Sequence, residues 1–325
     1  VRTAEYIKDA ILSAGADRAE VIPSKGNPVV FGEKIVDPAA PTVLIYGHYD
    51  VMPVDPVELW NSSPFEPVIR DGRIWARGAN DDKGQMFTQI KAFEYLVKTG
   101  QLKNNVKFMI EGEEEIGSPS MAALLKEYGC DLGADVFVIV DAVNWKVGEP
   151  ALTTTLRGVV DAVVTVSTLK TGLHSGQFGG VVPDALTALC RLLATLHDDR
   201  GNVAIEGLAA APNPAVEYDL GRLREESGLL DGVEWIGDGM ASARMWTRPA
   251  ASVLAIDATP VRDASNTLIP TARAKVSVRI APGDDADSAT EALVRHLRAH
   301  APWGARVEVE PGQGGAGSAF PVEGP

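Results

Sequence analysis

The chain has 325 residues, a net charge of −14 and 45% hydrophobic residues. That is enough apolar material for a sizeable core and, at this length, for two domains or one domain carrying an insertion. The negative charge argues against a nucleic-acid partner, and no apolar run approaches the ~18 residues of a membrane-spanning helix. The N-terminus shows no signal-peptide apolar stretch, and because it starts at Val1 rather than Met, a native start elsewhere is expected. The only cysteines, Cys130 and Cys190, are read as packed thiols in a reducing, cytoplasmic setting rather than as a disulfide framework.

Residues 2–14 read as an amphipathic helix with Ile7, Ile11 and Leu12 on one face and Gly15 behind it. Val29–Phe31 reads as a short strand. Val43–Tyr46 is a fully apolar run, hence a buried strand, and it ends at Gly47-His48-Tyr49-Asp50. His48 and Asp50 are two apart and point to the same side of an extended chain. A metal-bound histidine usually donates its other ring N–H to a carboxylate, and Asp50 is placed to accept it; the alternative is a histidine that merely caps a strand end. Pro53 to Pro67 is an irregular, proline-rich surface segment, and Arg73–Arg77 reads as a strand.

Arg77-Gly-Ala-Asn-Asp81-Asp82-Lys-Gly84 then sets two acids between glycines, directly ahead of a helix marked by Met86, Phe87, Ile90, Phe93 and Val97. A carboxylate has two oxygens, so Asp81 is expected to bridge two ions ~3.5–4 Å apart. An Asp-Asp pair before a helix serves equally as an N-cap with a favourable dipole. Val106–Ile110 is the next strand and runs into the acidic stretch Glu111 to Glu115. Ser118 and Pro119 read as the N-cap and first residue of another helix, with Gly129 at its end. Glu113, Glu114 and Glu115 would repel one another if buried together, so convergence on a site calls for cations. Val136–Val140 is a third apolar strand, ending at Asp141.

Three apolar strands thus end in His48, in Glu114/Glu115 and in Asp141. In an α/β sheet, ligands gather beyond the carboxyl ends of parallel strands. The oxygen-plus-imidazole set suits zinc, with manganese or cobalt as alternatives.

From about Thr153 the pattern changes. Strands at Val159–Ser167, Ala251–Ile256, Ala272–Ile280 and Ala305–Glu310 alternate with helices at Pro183–His197 and Ser288–Ala299. The order βαββαβ suggests a ferredoxin-like sheet with helices on one face. His174 sits in a glycine-rich loop, Leu173 to Gly180, and a loop histidine is commonly just surface. Arg279 lies in a strand, where a plain surface ion pair is the alternative to a binding role. His197, His296 and His300 read as structural or surface residues.

Taken together, Gly47 to Asp50, Arg77 to Gly84, Glu113 to Ser118 and Val140-Asp141 resemble the co-catalytic zinc peptidase family of carnosinases, cytosolic dipeptidases, aminoacylases and succinyl-diaminopimelate desuccinylases. The likeness runs from about Thr42 to Gly312, and the surroundings of Trp60, Pro64, Phe65 and the Arg70-Asp-Gly72 turn look most like the dipeptidase branch. The resemblance implies a mostly parallel α/β catalytic domain over 1–152 and an inserted ferredoxin-like lid and dimerisation domain over 153–312. Residues 313–325 would then begin the return to the catalytic domain. It implies that His48 and Asp141 hold one zinc ion, Glu115 the other and Asp81 both, with Asp50 orienting His48. It also implies a cis peptide at Asp81–Asp82. Glu114 would be the general base toward a metal-bridging water. His174 would reach across a homodimer to polarise the substrate carbonyl, while Asn266 and Arg279 hold the substrate. The expected activity is hydrolysis of the amide bond in dipeptides or N-acyl amino acids.

One further ligand of the family, a histidine near the C-terminus, has no counterpart here. The sequence is therefore expected to be a piece of a longer protein, with one ion weakly held and apolar surface exposed. The second functional expectation is a non-catalytic binding or scaffold homologue with an incomplete metal site; metal content and turnover separate the two.

Overall fold

An amphipathic helix, α1 (Arg2–Ser13), opens the chain in the computed structural model, which describes residues 1–142 and 144–320. It buries Ala4, Ile7 and Ile11. Leu12, expected on that face, is 39% exposed, because each helical step of roughly 100° carries the next residue off a narrow stripe. The chain forms two units, Val1–Ala151 and Leu152–Pro325.

In the first unit α1 is followed by β1 (Arg18–Ile22), β2 (Val29–Lys34) and β3 (Thr42–His48). A hairpin of β4 (Val68–Arg70) and β5 (Arg73–Trp75) leads to α2 (Lys83–Lys98), then β6 (Asn105–Glu111), α3 (Met121–Tyr128) and β7 (Val136–Ile139). The main sheet has the order β1-β2-β6-β3-β7. Here β3 runs parallel to β6 and to β7, whereas β1–β2 and β2–β6 are antiparallel. The sheet is therefore evenly mixed rather than mostly parallel. The β1–β2 connection is too short for a crossover, so β2 reverses direction.

Side-chain alternation sends neighbouring residues to opposite faces. Val30, Ile45 and Phe108 pack under α1 and α2, against Ile7, Ile11, Ile90 and Phe93. Phe31, Leu44 and Met109 face the other way, against Leu124 of α3 and Leu132. The third apolar strand, β7, is not buried as its composition implied. It is hydrogen-bonded on one side only, and Val136, Phe137 and Ile139 are about half exposed. Helix α3 begins at Met121, later than the Ser118-Pro119 pair suggested. Ser118 has φ 50, outside helical geometry, and its hydroxyl donates to Glu111 Oε1 at 2.9 Å, so it is occupied elsewhere. Cys130 and Cys190 are exposed free thiols, not packed ones.

The second unit opens with β8 (Thr155–Leu156) and β9 (Gly158–Ser167), then β10 (Leu173–His174), α4 (Ser175–Phe178) and α5 (Ala185–Ala194). Two short helices, α6 (Leu220–Ser227) and α7 (Ala241–Trp246), precede β11 (Ala250–Asp257), β12 (Thr267–Leu268) and β13 (Thr271–Ile280). After α8 (Ala286–Ala299), β14 (Arg306–Gly315) and β15 (Ser318–Ala319) complete the described chain. The main sheet is antiparallel throughout, in the order β11-β13-β9-β14. Val160, Ala162, Val164 and Val166 of β9 and alternate residues of β13 face Leu189, Leu192, Leu293 and Leu297, so α5 and α8 cover the same face. Both helices start on an aspartate cap: Asp184 accepts from Thr187 N–H and Asp285 from Ser288 N–H.

Candidate metal centre

The parallel set β6-β3-β7 places its carboxyl ends side by side, and the polar residues that follow those ends meet there. His48, the last residue of β3, is fully buried. Its Nε2 lies 3.1 Å from Asp81 Oδ1, 3.7 Å from Asp141 Oδ2 and 3.9 Å from Glu114 Oε2. One ligand atom each from His48, Glu114 and Asp141 lies within 4.8 Å of the other two. Donor atoms around a tetrahedral zinc, ~2.0–2.1 Å from the metal, stand about 3.3 Å from one another. The spacing around Nε2 matches that shell, and the donor set fits a divalent ion.

Asp50 accepts from two backbone N–H groups and lies beside the His48 ring. Its Oδ1 is 3.3 Å from His48 Nδ1, and its two oxygens accept the N–H groups of Glu114 at 3.3 Å and Glu115 at 3.0 Å. The carboxylate that stands behind the imidazole therefore also shapes the turn that carries Glu114. Glu115 Oε1 accepts the Met52 N–H at 3.1 Å and does not join the His48 group. The acids of the run do not converge. Glu113 is buried and accepts from Asn27 N–H. Glu111 is buried beneath the Tyr46 hydroxyl, which donates to it at 2.6 Å.

Asp82 is the residue that sequence reasoning passed over. It is fully buried, and its Oδ2 accepts the backbone N–H of His48 at 3.1 Å. The Asp81–Asp82 peptide is cis. Gly47 permits this clasp, since a Cβ there would stand 2.8 Å from Asp82 Oδ2 and 3.0 Å from Met86 Cβ. The signal was available in the second acid of the Asp-Asp pair and in the glycine before His48.

The charges at the site act on one another. Burial opposes a charged His48, but the carboxylates of Asp141, Glu114, Asp82 and Asp50 outweigh it and raise its pKa. Burial raises Glu114 and Asp141, with His48 partly offsetting it in both. Asp82 is pushed up to about 6, chiefly by burial, against the His48 N–H that it accepts. Lys83 is lowered by burial, against the carboxylates of Asp50, Asp81 and Glu115. A bound divalent ion would reverse this logic by stabilising every carboxylate at once.

In the second unit, His174 is exposed, and its Nδ1 accepts the Gly176 N–H at 3.1 Å. The β10–β12 ladder pairs His174 with Thr267, and the Ser175 N–H donates to the Asn266 carbonyl at 2.8 Å, so His174 and Asn266 are neighbours. Arg279 is one residue from the far end of β13, which begins at Thr271. The unit brings His174 and Asn266 together near the start of β13, while Arg279 stands eight strand residues beyond Thr271, roughly 26 Å at the ~3.3 Å rise of a strand residue.

Residues 44–322 match the model of peptidase family M20/M25/M40. The chain belongs to this family. It is 38% identical over 274 residues to a cysteinylglycine-S-conjugate dipeptidase of Corynebacterium striatum, covering 83% of this chain and 60% of that protein. Among solved structures, human carnosine dipeptidase 1 superposes with a TM-score of 0.81 at 26% identity, over 99% of this chain and 73% of the other. An M20 metallo-carboxypeptidase from Sulfolobus solfataricus gives a TM-score of 0.75 at 28% identity, over 96% and 74%. The chain thus spans about three-fifths of the curated M20 relative's length. No helix among the described residues is long and apolar enough to cross a membrane.

Proposed function

We propose that the protein is a metal-dependent M20 hydrolase that cleaves the amide bond of dipeptides or N-acyl amino acids. The observation that carries this reading is the convergence of His48, Asp81, Asp141 and Glu114 at the shared end of three parallel strands. The names of the dipeptidase relatives favour a dipeptide. In this reading His48 and Asp141 would hold one zinc ion, Glu115 would hold a second and Asp81 would serve both, with manganese or cobalt as alternatives. Ions bound there supply Lewis acidity toward the scissile carbonyl and toward a water.

The chain's own residues do the rest. Glu114 takes a proton from the attacking water at Oε2 and returns it to the leaving amine. Asp50 holds the His48 ring and the Glu114 turn in one register. The antiparallel unit, with its βαββαβ order and one covered face, is read as a ferredoxin-like lid inserted in the catalytic domain, and as a homodimer contact. Since His174 and Asn266 lie at one end of β13 and Arg279 at the other, a single lid does not offer all three to one small substrate. A dimer in which His174 and Asn266 serve the partner's site resolves this. The exposed free thiols agree with a reducing, cytoplasmic setting.

The test is a hydrolysis panel of dipeptides and of N-acetyl and N-succinyl amino acids with protein reconstituted in zinc or manganese. Turnover that a chelator abolishes and added metal restores is the expected result. Full metal loading with no turnover on any member of the panel would instead make the protein a non-catalytic binding homologue.

A further inference from the structure

Between α5 and β11 the chain makes a long excursion over 198–249 that the proposed hydrolysis does not use. It borders a cavity of about 590 Å³, lined only by residues of the second unit. That volume lies within the ~300–1,000 Å³ of small-molecule sites. Leu208, Leu223, Trp235 and Met245 make its walls apolar. The Trp235 ring is held from one side by the Arg224 guanidinium, 5.2 Å from its centroid.

Two further guanidiniums, Arg244 and Arg248, line the cavity, and among the described residues neither pairs with a carboxylate. Arg244 donates from Nη1 to the carbonyls of Ile236 and Gly237, while its enclosed Nε finds no acceptor. Arg248 donates to neutral Asn213 Oδ1 at 3.0 Å. The carboxylate on the lining, Asp238, is already engaged by Arg200 and by Asn202 Nδ2. Positive charge over an apolar chamber is therefore left unmatched.

The rim is built for close approach. Gly201 and Gly237 have φ of 85 and 75, and the Gly237 N–H donates to the Arg200 carbonyl at 2.7 Å. A Cβ at Gly201 would meet Ile236 Cβ at 2.7 Å, so a side chain there would push the two loops apart.

We propose that this cavity binds a small organic anion, a single carboxylate on an aliphatic or aromatic body. The carboxylate meets the donors of Arg244 and Arg248, for which a planar fork is the matching shape. The body lies against Trp235 and the aliphatic walls. A bare inorganic anion would leave those walls wet, so the apolar body is part of the recognition.

The probe is hydrocinnamate, titrated into the full chain by calorimetry, with hydrocinnamyl alcohol as its uncharged match. Hydrocinnamate should bind, the alcohol should bind at least about tenfold more weakly, and Arg248→Met and Ala210→Trp should each weaken hydrocinnamate by about tenfold or more, a tenfold change being ~1.4 kcal/mol. His174→Ala, which lines no part of the cavity, should leave binding unchanged, which separates this cavity from the proposed substrate site. No binding, equal binding of the alcohol, binding that survives both cavity variants, or loss in His174→Ala would each overturn the proposal.

Discussion

His48 and Glu114 face each other across 3.9 Å, and the account gives them different work: one holds the ion, the other moves the proton. Glu114→Gln keeps the shape and removes the base. It should lower turnover by about 10²–10⁴-fold, the usual worth of a general base, while zinc content by mass spectrometry stays at the wild-type level. Loss of metal and activity together would make Glu114 a ligand instead. Asp82 makes a separate prediction about pH. Its carboxyl is raised from 3.8 to about 6 in the fold, so the native state keeps a proton that the unfolded chain has given up. That contribution is full below about pH 4 and is lost as pH rises through about 6. Asp82→Asn retains an acceptor for the His48 N–H without this loss. In metal-free protein, its unfolding free energy relative to wild type should climb across that window and then level off; a flat difference would contradict the burial argument. His48, Asp81 and Asp141 were legible because each follows a hydrophobic run or a glycine turn. Asp82 was harder to read, because the string Asp-Asp alone does not tell which acid turns inward and the hint lay in a glycine far off in sequence, Gly47.

The elements were legible wherever burial enforces one period. β3 carries a continuous apolar run, β6 one broken only by Lys107, and both lie inside the sheet, while α5 and α8 show their stripe plainly. β7 has the same composition as an interior strand but lies at the edge, since apolar content alone does not say how many neighbours a strand has. The start of α3 was misplaced because Ser118 spends its hydroxyl on Glu111, a long-range contact that local capping rules do not see. The element-level joint between β3 and the turn before α2 can be tested at Gly47. Gly47→Ala places a Cβ 2.8 Å from Asp82 Oδ2, so it should lower zinc affinity by roughly 10-fold or more through the displaced support of His48, with the far-ultraviolet circular dichroism unchanged. Undiminished affinity would show that the Asp82 clasp does not position the ligand.

For the whole molecule, each unit has its own core. Leu189 is completely buried under the antiparallel sheet, and Leu189→Ala should cost that unit about 2–5 kcal/mol by denaturant unfolding. The dimer reading makes a stricter demand. If His174 works in the partner's site, inactive Glu114→Gln and inactive His174→Ala proteins, once their subunits are mixed, should regain about a quarter of wild-type activity, because half the dimers are mixed and each has one complete site. No recovery after subunit exchange would place His174 in its own chain's site or outside catalysis. The two-part organisation was readable in the switch from strand-then-acid motifs to alternating strands. The separation of His174 from Arg279 was not, because it depends on the length and register of β13.

If donors from separate strands hold a divalent ion at His48, the zinc content of the chain after equilibration and removal of free metal, measured beside Asp81→Ala, will show it. At least one tightly held zinc per wild-type chain is expected, and its loss in Asp81→Ala with the fold intact. A wild-type chain that holds no zinc, or an Asp81→Ala chain that holds as much, would contradict it.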